Sequence, residues 1–243
     1  MKKRFDIFLL SLSFILVVCP AELSAQFDKD DITLKREPKL SGEVYSFTMQ
    51  AEGSYYLNRN WSDGDVLLAT GEKVKNELFK YNGFLDELVW LNAKTYQPVK
   101  VDKEMVEEFT LYLPGERRPF VFQNITIDIA LSAETKNIFA HSLYEGEISL
   151  VAHRRIIRTG QSLRSGEGTL YAVARLKPEP VFYIVMPDNK AFEVRRFSRR
   201  SLYRIFPDHR RELRSAFRDR GLRIRSENDL IQAVDVVDQV LFQ

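Results

Sequence analysis

Between residues 45 and 196 the apolar side chains come in short runs or at every second position, and turn residues separate the runs. A period of two is the signature of strands, whose side chains alternate between two faces. The clearest case is NITIDIAL. Ile125, Ile127, Ile129 and Leu131 share one face, and Thr126, Asp128 and Ala130 the other. Phe109, Leu111 and Leu113 repeat the pattern, as do Phe120 and Phe122. Asn82-Gly83 between NELFKY and FLDELVWL predicts a hairpin closed by a tight primed turn. Asp63-Gly64 precedes another strand, DVLLAT, and PDNK at 187–190 divides VFYIVM from AFEVRR. ISLVAH from Ile148 and TLYAVARL from Thr169 are further strands.

Beyond residue 196 the period changes to that of a helix. Leu202, Ile205, Phe206, Leu213 and Phe217 fall at helical spacing with arginines on the other faces. Pro207 is suited to open a helix running to Arg220, and Gly221 to stop it in the left-handed conformation. Ser226 with Asp229 forms the cap of a last helix whose apolar stripe is Leu230, Val234, Val237 and Leu241. The expected fold is mainly β: an antiparallel sandwich, a half-barrel or a curved sheet over 45–196, with short arginine-rich helices over 197–243 packed on it.

The first residues belong to neither part. Lys2, Lys3 and Arg4 precede an apolar run from Ile7 to Cys19 that Pro20 interrupts, the layout of a secretory signal peptide. The run is shorter than the roughly 20 residues a membrane-spanning helix needs. The expectation is a signal peptide over 1–25 with cleavage after Ala25, Ala21 being the second site, then a mobile lead-in over 26–44. Such a chain is exported to the periplasm or beyond, with no transmembrane helix in its mature part. Cys19 sits where a lipoprotein carries its modified cysteine, but bulky Val18 before it argues against lipidation. Cys19 is the sole cysteine, so the mature chain has no disulfide and depends on its core.

Charge is unevenly spread. Residues 195–225 hold twelve arginines against Asp208, Glu212 and Asp219, whereas 26–194 and the last 18 residues are each net acidic. Arg195, Arg196, Arg199, Arg200, Arg210, Arg211, Arg214 and Arg218 are candidates to meet an anionic lipid or polysaccharide, with Arg210, Arg211, Arg214 and Arg218 as the designated contact set. Export makes nucleic acid an unsuitable partner. The alternative role for these arginines is internal, covering apolar surface with their stems and pairing with the acidic β region.

Catalytic motifs are sparse. GQSLRSG lacks the spacing of a serine elbow, and Gly166 and Gly168 lack the rest of a phosphate loop, so no cofactor is expected. His141, His153 and His209 show no metal spacing. The loop from Asn58 to Asp65 is rich in oxygen donors but out of register for calcium, and reads as a polar turn with Trp61 tucked inward. Three carboxylate pairs offer acid–base chemistry in principle: Asp86 with Glu87, Glu107 with Glu108, and Glu145 with Glu147.

Taken in order, GSYYLNRNWSDGDVLL, KNELFKYNGFLDELVWL, YEGEISLVAHRR, FYIVMPDNKAFEV and the helical tail from Phe206 to Val237 resemble a group of exported β-rich proteins of unknown function from Bacteroidetes-type bacteria. The elements that carry the likeness are Leu78 to Asn82, Tyr144 to Leu150, and Asp229-Leu230. The group's tail is lysine-rich where this one has arginine, which keeps charge but changes geometry. The resemblance implies export and a β-rich fold and assigns no catalytic residue. The expected function is a non-catalytic envelope module, binding or structural, whose partner is an envelope protein, lipid or polysaccharide. In a lipid-binding version Trp90, Phe120, Phe122 and Tyr183 would line a concave face. The alternative is an extracytoplasmic carbohydrate hydrolase using paired carboxylates.

Overall fold

The computed structural model describes residues 40–166 and 169–242. The expected signal peptide over 1–25, Cys19 and most of the expected lead-in lie outside the described residues. Among the described residues fourteen strands and three α-helices follow in chain order. The first seven strands are β1 (Gly42–Val44), β2 (Ala51–Glu52), β3 (Ser62–Leu68), β4 (Lys73–Asn82), β5 (Glu87–Leu91), β6 (Pro98–Val101) and β7 (Val106–Tyr112). The next seven are β8 (Phe120–Ile129), β9 (Glu134–Tyr144), β10 (Ser149–His153), β11 (Ile156–Gly166), β12 (Thr169–Pro178), β13 (Val181–Val185) and β14 (Lys190–Glu193). Helices α1 (Arg199–Ile205), α2 (Arg210–Asp219) and α3 (Glu227–Leu241) complete the chain. The fold is mainly β with C-terminal helices, as the periodicity predicts.

One large sheet runs in the order β1-β6-β5-β4-β3-β7-β8-β14-β13-β10-β9, and β9 returns to pair with β8. Strands β8, β14, β13, β10 and β9 therefore close on themselves as a five-membered ring. An odd ring cannot alternate direction throughout, and the required parallel pair is β8 with β14. Ile127, Ile129, Ile138, Ala140, Val151, Tyr183 and Ala191 pack together as one cluster. Leu150, Ala152, Phe182 and Ile184, the alternate residues of β10 and β13, pack with the helices instead. Both faces of these strands are buried, which is why SLVAH and VFYIV read as continuous apolar runs.

A second cluster fills the other half of the sheet. Phe109 and Phe122 stack at 4.6 Å, with Phe139 edge-on to Phe109 at 5.0 Å and Tyr81 against Phe122 at 4.9 Å. Trp90 and the half-buried Phe120 belong to this cluster, while Tyr183 belongs to the ring cluster. The four aromatics suggested for a ligand-binding concave face are thus core residues of two separate clusters.

Local corrections have simple causes. The Asn82-Gly83 hairpin exists, but its loop is Gly83–Asp86 rather than a two-residue turn. Asn82 is fully buried, its Oδ1 accepts the N–H groups of Phe84 and Leu85, and Asp86 takes the left-handed φ of 58°. Gly83 is needed for close approach, since a Cβ there would stand 2.4 Å from the Arg154 carbonyl oxygen. Leu131 is 77% exposed, because β8 ends at Ile129. The last residues of the expected lead-in, 42–44, are strand β1, paired with β6. Strands β11 and β12 form an antiparallel ribbon, of which the sequence pattern predicts only the second strand, and it meets β2 through a short parallel pairing.

Helices α1 and α3 follow their N-caps, whereas α2 begins at Arg210 rather than at Pro207 and has no side-chain N-cap. Ser198 accepts the Ser201 N–H at the start of α1. Gly221, at φ 63°, ends α2 and lets Leu222 donate back to the Phe217 carbonyl. Ser226 and Asp229 form the predicted capping box of α3. Among the described residues no helix is long and apolar enough to cross a membrane.

Candidate functional site

Two clefts combine volume with charge, and they differ in how their charges are used. The first, about 810 Å³, lies among the β4–β5 loop, the end of β6, the 3₁₀ turn at Lys103–Met105, β9 and β10. Asp86 is its hub. Its carboxylate accepts the Tyr81 hydroxyl at 2.6 Å, the Lys103 ammonium at 2.5 Å and the Phe139 N–H at 3.2 Å, while His153 Nε2 stands 3.6 Å away. Burial works to raise the Asp86 carboxyl, but His153 and Lys103 outweigh it and hold the group below its ordinary value. Glu87 beside it goes the other way, raised chiefly by burial, and its Oε2 is closed from solvent without a partner.

The hub is a knot of structure. Asp86→Ala is expected to cost about 2 kcal/mol, from stranded donors and from alanine's dislike of the left-handed backbone. Asp86→Asn should cost less, since asparagine accepts that conformation and keeps an acceptor oxygen. Urea unfolding of both variants measures the difference, and an unchanged midpoint for the alanine variant would remove the hub's role.

The other carboxylate pairs fall apart. Glu107 and Glu108 are neighbours in β7 and point to opposite faces, one exposed and one half-buried. Glu145 accepts from Gln123 and Ser142, and Glu145 and Glu147 are both exposed. In the oxygen-rich loop, Asn58 donates to Ser62, while Asp65 accepts the Asn76 N–H and the Tyr112 hydroxyl. Trp61 is half-buried beneath the Lys80 ammonium, 4.8 Å from its ring.

The histidines have different settings. His209 is exposed and pairs with Glu212 at 3.0 Å. His141 is buried, stacked on Phe120 at 4.4 Å, and its Nδ1 accepts from Arg154, whose guanidinium also grips Glu227 at the start of α3 with contacts of 2.6 and 2.8 Å. Burial first, and the Arg154 charge second, push His141 down to about 3. It is a neutral acceptor in a latch that ties α3 to the ring.

The second cleft, about 830 Å³, is formed where the chain leaves β14 and enters α1 and α2. Arg195, Arg196, Arg200, Arg204 and Arg210 line it, together with Tyr203. Tyr203 is fixed by stacking on Phe217 at 6.0 Å, and the Arg210 guanidinium lies 5.9 Å from its ring. Arg195 approaches Glu193 at 3.8 Å, but among the described residues no carboxylate pairs with Arg196, Arg200, Arg204 or Arg210. Arg199 is otherwise employed, donating to the carbonyls of Leu222 and Phe217 where α2 ends.

Of the designated contact set, the cleft takes in Arg210 alone. Arg211, Arg214 and Arg218 are exposed on α2, whose buried side is Leu213 and Phe217, and Arg218 pairs with Asp219 at 3.6 Å. Sequence reasoning grouped the arginines as one charged stretch and left out Arg204. The signal for Arg204 was its position in the Ser198-capped helix, one turn beyond Arg200. No protein-family model, curated protein or solved structure matches the chain.

Proposed function

We propose that the chain is an exported, non-catalytic module of the cell envelope that docks on an anionic surface, lipid or polysaccharide, through its arginine-rich helices. The observation that carries this reading is the exposed face of α2: Arg210, Arg211 and Arg214 have no carboxylate partner among the described residues. Near an anionic membrane each such side chain contributes about 1 kcal/mol, so three or four give useful but salt-sensitive attachment. The apolar signal-like run at the N-terminus supports export, and the likeness to exported β-rich proteins of Bacteroidetes-type bacteria belongs to the same reading. Binding to phosphatidylglycerol vesicles should be strong at low salt, weak at high salt, and lost on combined reversal of Arg210, Arg211 and Arg214 to Glu. Retention of binding by the reversed variant would dispose of the reading.

One observation favours the hydrolase instead. Asp86 and Glu87 line one cleft, and their environments push their proton affinities in opposite directions, as an acid–base pair requires. Against it, the Asp86 carboxylate is already occupied by three internal donors. Glycan turnover abolished by Glu87→Gln would revive this second reading, and the absence of turnover on envelope glycans would end it.

A further inference from the structure

We infer that the cleft between the end of β14 and helices α1 and α2 is a discrete, saturable site for a molecule of sugar-phosphate size carrying two or more phosphoryl groups. This goes beyond surface docking. A docking face needs only charge in bulk, whereas here five guanidinium-bearing residues line one concavity of about 830 Å³.

The size leaves room for more than a lone ion. It falls within the range of small-molecule pockets, so a larger body carrying the charge fits. The charge calls for more than one anionic group. Arg196, Arg200, Arg204 and Arg210 line the same cleft, so their like charges repel one another, with no carboxylate paired to them among the described residues. Folding that gathers like charges into a concavity is unfavourable by itself, and a bound polyanion removes the penalty.

The residue type selects phosphate. A guanidinium is a flat fork of fixed donors that fits two oxygens of one phosphoryl group, and it keeps its charge at any physiological pH. Two features prepare the fork. Arg210 is steadied over Tyr203, whose ring is itself stacked on the buried Phe217. Arg200 and Arg204 stand one turn apart on α1, a helix capped by Ser198. The hydroxyl of Ser201 is spent inside the fold, donating to the Arg196 carbonyl, so arginines supply the free donors.

Calorimetric titration of the protein with fructose 1,6-bisphosphate and, separately, inorganic phosphate tests the site. Saturable one-to-one binding is expected, tighter for the bisphosphate than for inorganic phosphate. Arg200→Ser and Arg204→Ser should each weaken it about tenfold or more, the usual effect of losing a charge-assisted hydrogen bond. Arg211→Ser and Arg214→Ser, on the open face of α2, should leave it within about twofold. Thermal unfolding of each variant, with a melting point unchanged from the parent, separates loss of donors from loss of fold. Binding that fails to saturate, or that falls equally with Arg211→Ser and Arg200→Ser, would overturn the site while leaving surface docking intact. A cardiolipin-vesicle arm distinguishes the source: vesicle binding blocked by soluble bisphosphate places the two-phosphate lipid headgroup in the cleft, and unblocked vesicle binding assigns the cleft to a soluble phosphorylated molecule.

Discussion

Phe122→Ala is expected to destabilise the protein by about 4 kcal/mol, a large share of the stability of a domain this size. Phe122 is fully buried, stacked on Phe109 at an interplanar angle of 9°, and touches both Tyr81 and His141. Its position on β8 explains the size of the effect. That strand pairs with β7 through 120–123 and with β9 through 122–129, so Phe122 lies where the two pairings overlap. Neighbours anchored in two ladders cannot collapse into the void. Leu131→Ala, at an exposed position, should change stability by less than about 0.5 kcal/mol. Urea unfolding gives both values, and a Phe122 variant within 1 kcal/mol of the parent would show that the aromatic cluster is loosely packed.

The second large effect is one of pH. An unfolded histidine titrates near its ordinary 6.5, whereas His141 in the fold takes a proton only near 3. Above about 6.5 neither state is protonated there, and the folded protein has its full stability. As pH falls from 6.5 the unfolded chain binds a proton that the folded one refuses, so stability drops with a slope approaching 1.4 kcal/mol per pH unit toward pH 3. His141→Gln retains an acceptor for Arg154 and removes the titration. Between pH 6.5 and 4.5, above the range of the carboxylates held below their ordinary values, the variant should give a flatter curve. Parallel curves for the two proteins would refute the assignment.

The strand content was legible because both faces of β10 and β13 are buried, and half-buried strands such as β8 alternate. Strand β11 escaped for the opposite reason. Its sequence, IIRTGQSLRSG, is polar and glycine-containing, and of its described residues only Ile156 is buried, so there was no burial pattern to read. Asn82-Gly83 announced a turn correctly, but its geometry depended on the Arg154 carbonyl, more than 70 residues away. The Asp86 hub was illegible on the same ground, with partners at 81, 103 and 139. The arginine cleft stood halfway: its residues are close in sequence and visible as composition, whereas their concavity depends on the break between α1 and α2.

The ring of five strands has no free edge, but the β11–β12 ribbon does, because among the described residues β11 pairs with β12 alone. A long open edge invites another chain to add a strand. Here the pairing register slips between Arg158 and Gly160, which twists the edge, and Arg158 places charge along it, while Arg164 is engaged with Glu52 of β2. Deleting Thr159, which removes the slip, is expected to promote self-association through the ribbon edge, read as a sedimentation coefficient that rises with concentration.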